Sequence, residues 1–185
     1  MKTPNGRKQV NATFGVPYTA SMALNETWKE ANLTTVALPK GMLMYAAWDN
    51  SIKVDHIYIH RLLADNLSKV LTEIWATARF KVKQAHGFDK TTGYYDGMTR
   101  KFLANLGLDQ FGGTFNFRAI RGKKALSMHS YGIAIDLDPA HNALGAKVGR
   151  MPKWVVAIFE KHGWFWGGKF KRRKDWQHFQ FATGC

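Results

Sequence analysis

Between Gly132 and Asp138 the chain reads GIAIDLD, an apolar run of strand length with two carboxylates set into it. Side chains alternate across a strand, so Ile133, Ile135 and Leu137 face one way while Ala134, Asp136 and Asp138 face the other. One face belongs to a core and the other is a polar floor. The same alternation in HFQFA, near the C-terminus, sends Phe179 and Phe181 to the core side and His178, Gln180 and Ala182 to the opposite side. Two such strands could present Asp136 and His178 on one surface. His129 precedes Asp136 by an odd number of residues, which would put the two on opposite faces of a continuous strand, so a turn must intervene; Ser130, Tyr131 and Gly132 can supply it. His, Asp and His meeting at one point would make a three-ligand zinc site with a fourth position open to water, the arrangement of a catalytic zinc. Asp175, three residues before His178, would stand beside that water.

The rest of the chain supplies the frame. In HIYIHRLLADNLSKVLTEIWATA, Ile59, Leu63, Leu67, Val70, Leu71, Ile74, Trp75 and Ala78 recur at three-and-four spacing, which predicts a long core-facing helix from near Asp55, its N-cap. HGFDKTTGYYDGM reads as loop, MTRKFLANLG as a short helix closed by Gly107, and GTFNFRAI as a strand. MPKWVVAIFEKHG reads as a helix with Pro152 at its first turn and Gly163 at its end, followed by strands at WFWGG and HFQF. Helices early and strands late predict an α+β fold: one domain over 1–185, a small antiparallel sheet flanked by helices, and no separate second domain.

Composition narrows the setting. Twenty-seven Lys and Arg against 13 Asp and Glu give a net charge of +14, which favours polyanionic partners such as nucleic acid, anionic lipid or the phosphate-bearing polymers of a bacterial envelope. Cys185 is the one cysteine, so an intrachain disulfide is excluded and any metal must be held by His and carboxylates. The N-terminus lacks the apolar stretch of a signal peptide, and no run approaches the ~20 apolar residues of a membrane span.

Two stretches carry a resemblance. SMHSYGIAID fits the pattern S-x-H-x-x-G-x-A-x-D, and DWQHF the pattern D-x-x-H-F, of the zinc peptidases that include VanY-type D-alanyl-D-alanine carboxypeptidases and phage L-alanyl-D-glutamate endolysins. The similarity extends through FGVP, the long helix, FNFRAIRG and GWFWGG, from about Phe14 onward. It implies an α+β fold shared with Hedgehog-type domains, one Zn2+ held by His129, Asp136 and His178, and Asp175 as catalytic acid/base. Arg118 resembles the family's active-site arginine, a catalytic and substrate-binding candidate, and Ser127 the serine of its first motif, a substrate-binding candidate. The implied substrate is the stem peptide of bacterial peptidoglycan, cut by a phage or prophage endolysin at L-alanyl-D-glutamate, or alternatively by a carboxypeptidase at terminal D-alanine. A monomer is expected, made in the cytoplasm of a bacterial host and released to the wall, where anionic envelope polymers would attract it. Two departures stand out. Many relatives continue H-F-E where this chain has Gln180, and the loop GGKFKRRKD crowds the site with basic residues.

Competing readings explain less. A nucleic-acid module using Lys169, Lys171, Arg172, Arg173 and Lys174, with Trp164, Trp166 and Phe170 for stacking, leaves both motifs unexplained. A zinc-bearing domain without catalysis is opposed by the intact Asp175. His56 and His60 lack the glutamate and the spacing of H-E-x-x-H, Ser130 has no G-x-S-x-G elbow, and Asp138 and His141 suit strand-end hydrogen bonding.

Overall fold

The computed structural model describes every residue except Arg121. The chain begins with two short helices, α1 (Gly6–Phe14) and α2 (Glu26–Asn32), and then runs through β1 (Leu33–Ala37), β2 (Tyr45–Ala46), β3 (Asp49–Lys53) and β4 (His56–His60). Two long helices follow, α3 (Ala64–His86) and α4 (Thr92–Asn105), and then β5 (Gln110–Gly113), β6 (Ala134–Leu137), α5 (Lys153–Lys161), β7 (Phe165–Trp166) and β8 (His178–Gln180). β1 and β4 form an antiparallel pair, while the main sheet has the order β3-β2-β5-β6-β8-β7. This is the expected small α+β arrangement. All its neighbours in the main sheet are antiparallel save β2 and β5, which run parallel.

α3 buries Leu67, Val70, Leu71, Ile74 and Ala78 along one face, against α4, α5 and β1. Each Leu, Val or Ile of the stripe is worth about 1.5–3 kcal/mol when taken out of water, so this face holds the helices to the rest. The helix starts later than its periodicity suggests. HIYIH is a strand: Ile57 and Ile59 are buried while His56 and Tyr58 are exposed, a period of two, and all five residues pair with β1. Ile59 fits the helical spacing only because it lies four residues before Leu63. A single 3-10 turn, Arg61–Leu63, joins strand to helix.

Two further boundaries differ from expectation. TGYYDG belongs to α4, where Thr91 caps the start by accepting from the Tyr94 N–H, rather than to a loop. The strand expected over GTFNFRAI does not form: β5 ends at Gly113, where that strand would begin, and apart from a single bridge between Ala119 and Leu126 the backbone beyond is bonded to the turn that carries His129 instead of to a ladder. Asn116 N–H donates to the His129 carbonyl, and Ser130 Oγ donates to the Arg118 carbonyl. No helix among the described residues is long and apolar enough to cross a membrane.

A candidate metal centre on the main sheet

The floor of the site is the β6–β8 pair. Its register sets Asp136 directly opposite His178, Ile135 opposite Phe179 and Ala134 opposite Gln180. Ile135 and Phe179 are fully buried in the core, so alternation leaves the two ionisable side chains together on the other face. His129 arrives from outside the strand. It sits in the 3-10 turn Met128–Tyr131, which Ser127 caps by accepting from the His129 N–H at 3.3 Å. Gly132 ends the turn at φ 64° and ψ 30°, a left-handed conformation that costs a glycine little and redirects the chain into β6. On the other side β5 lies so close that a Cβ on Gly112 would come within 2.8 Å of the Asp136 Cβ.

Three atoms converge. His129 Nε2 lies 3.2 Å from Asp136 Oδ1 and 3.2 Å from His178 Nδ1, and His178 Nδ1 lies 2.8 Å from Asp136 Oδ1. Ligands about 2.0–2.1 Å from a tetrahedral zinc stand about 3.3 Å apart, close to this spacing. The outer faces of the imidazoles fix where their protons sit. His129 Nδ1 donates to the Thr114 carbonyl at 2.5 Å, which leaves Nε2 a bare lone pair. His178 Nε2 faces Gln180 Oε1 at 3.0 Å, and the Gln180 amide nitrogen donates to the Ala182 carbonyl, so Nε2 carries the hydrogen and Nδ1 faces inward. Two imidazole lone pairs and a carboxylate oxygen therefore point at one another in a buried place, a donor set that fits a cation.

The electrostatics agree. Burial alone would raise the Asp136 carboxyl, but the charges and hydrogen bonds of His129 and His178 outweigh it and hold the carboxyl well below the usual range. Burial likewise pushes His178 down, and the hydrogen bond and charge of Asp136 reverse this, raising it. The cluster favours a cation between its three converging atoms, whether a proton or a metal ion.

Asp175 lies just before β8, its backbone carbonyl accepting from the His178 N–H at 3.2 Å and its own N–H donating to the Gly167 carbonyl. One carboxylate oxygen, Oδ1, is buried without a hydrogen-bond partner among the described residues. Burial raises its pKa, the positive charge of His178 offsets this in part, and Asp136 adds to the rise. Arg118 is tied down by its backbone, N–H to Ser130 Oγ at 2.9 Å, while the residue itself is exposed. Asp138 and His141 stand apart from the cluster: Asp138 leaves the strand at φ 48° and is bonded to His141 Nδ1 and Asn142 Nδ2, both at 2.8 Å. His56 and His60 lie on β4, away from the three ligand atoms.

Sequence reasoning did not find Thr114 or Gly112. Thr114 acts through its carbonyl, for which no residue type is a signal. Gly112 acts through the side chain it lacks, and the glycine pair after Phe111 in a strand is the trace it leaves.

No curated protein and no solved structure matches the chain. A family model described as D-alanyl-D-alanine carboxypeptidase matches residues 121–181, about a third of the chain. That segment holds both motifs and all three converging ligand atoms, and the match bears out the resemblance to VanY-type peptidases.

Proposed function

We propose that the chain hydrolyses an amide bond in peptidoglycan stem peptides with one zinc held by His129, Asp136 and His178. The observation that carries this reading is the meeting of three inward-facing acceptor atoms within 3.2 Å, with both imidazole protons turned outward. A zinc held there would supply a Lewis acid able to bring the pKa of water from about 15.7 toward 7 and to polarise a carbonyl. Asp175 takes the proton of the attacking water and returns it to the departing amine. Its raised pKa suits the second task, since a more basic carboxylate holds the proton until the amine needs it. Arg118, exposed beside the turn, pairs with a carboxylate of the stem peptide, and Ser127 keeps His129 in place.

Within this class we favour a phage or prophage endolysin cutting L-alanyl-D-glutamate, active as a monomer, made in the host cytoplasm and acting on the wall after release. The description of the matching family favours the second reading, removal of terminal D-alanine. Mass analysis of fragments released from purified peptidoglycan separates them. Muropeptides cut after L-alanine support the endopeptidase, free D-alanine supports the carboxypeptidase, and intact peptidoglycan with zinc-loaded protein overturns both. His129→Ala and His178→Ala should each bind almost no zinc, because two remaining ligands rarely hold it against solvent. Full zinc content in either variant would remove the metal assignment.

A further inference from the structure

The hydrogen bonds around His178 extend one residue beyond the three ligand atoms. Gln180 shares a face of β8 with His178 and lies opposite Ala134, whose small side chain leaves room for an amide. It is 4% exposed, and both ends of the amide are used: Nε2 donates to the Ala182 carbonyl at 3.0 Å and Oε1 accepts from His178 Nε2 at 3.0 Å. The Ala182 carbonyl can only accept, so it holds the amide nitrogen and fixes the oxygen toward the imidazole. That oxygen in turn holds the proton on Nε2.

We infer that Gln180 is a positioning residue for the metal centre: pinned by Ala182, it keeps the proton of His178 on Nε2 and so presents Nδ1 to the metal, without adding a charge. The inference rests on the zinc reading above. A carboxylate in the same place would set an oxygen against the Ala182 carbonyl, where only a donor fits. The backbone therefore favours Gln over Glu here, and Asp136 remains the sole anion among the three ligands and this partner. Removing the acceptor that orients a ligating histidine typically costs about 10- to 100-fold in metal affinity.

Gln180→Leu and Gln180→Glu separate orientation from packing. Both lose the bond to Ala182 and should lose folding stability, but only the leucine variant loses the acceptor for His178. Zinc affinity, measured by competition with a chelator, should fall about 10- to 100-fold in Gln180→Leu and stay within a few-fold of the parent in Gln180→Glu. Imidazole nitrogen NMR of the unmodified zinc-loaded chain should show the His178 proton on Nε2. Unchanged zinc affinity in Gln180→Leu, or a proton on Nδ1, overturns the inference. If Gln180→Leu does not fold, the tautomer of the unmodified chain decides alone. Should that chain take up no zinc, the functional reading falls; a His178 Nε2 without a hydrogen in the metal-free protein would then overturn the role of Gln180 separately.

Discussion

Asp175 differs from the metal-cluster residues in how its side chain is satisfied. The ligand-bearing side chains each have partners that fix their direction, whereas Asp175 has a buried oxygen with none among the described residues. Asp175→Asn preserves shape but cannot accept a proton, so zinc content should be kept while turnover falls about 100- to 10,000-fold. A variant with near-parental turnover would show that another group is the base. The three converging residues were legible in the sequence because their chemistry resides in side chains at fixed spacings. Thr114 and Gly112 were not, because one contributes a carbonyl that every residue has and the other contributes space.

At the scale of elements, the join of β4 to α3 shows what periodicity can and cannot resolve. The apolar residues of a strand and of the helix after it happened to keep a common spacing, and the chain uses His60 to separate them. His60 is buried; its Nδ1 accepts from the Leu62 N–H at 3.2 Å at the 3-10 turn, and its Nε2 donates to the Phe14 carbonyl at 3.1 Å. That pattern requires the neutral ring. Burial lowers the His60 pKa to about 4, helped by the charge of Arg61 and opposed by the Phe14 carbonyl. Between about pH 6.5 and 4 the unfolded chain binds a proton there that the folded chain does not, so stability rises with pH across the window. The contribution of His60 is complete above about 6.5, and is lost toward 4 by at most about 1.4 kcal/mol per pH unit. His60→Gln removes this titration. The stability gap between parent and variant, from urea unfolding at several pH values, should therefore narrow or reverse as the solution is acidified. A constant gap would mean that His60 titrates alike in both states.

For the whole molecule, the α+β class was legible, but the pairing of β2 with β5 was not. A two-residue strand such as β2 carries too little pattern to announce a partner; its parallel pairing with β5 is set by the chain around it. Net charge is the other property of the whole, and the structure shows where part of it is displayed. Of the basic loop between Gly168 and Asp175, Lys169 is paired with Glu160, while Lys171, Arg172 and Arg173 are exposed, with no carboxylate partner among the described residues. With a net charge of +14, encounter with a wall rich in phosphate should be accelerated by long-range attraction, and the three exposed cations lie only a few residues before Asp175. Neutralising Lys171, Arg172 and Arg173 together should slow the lysis of intact walls several-fold, yet leave cleavage of a small soluble stem peptide nearly unchanged. The difference should vanish near 1 M salt, where the screening length is about 3 Å. Equal losses on both substrates would place the loop in the catalytic cleft, and unchanged rates on both would leave it as solvated surface.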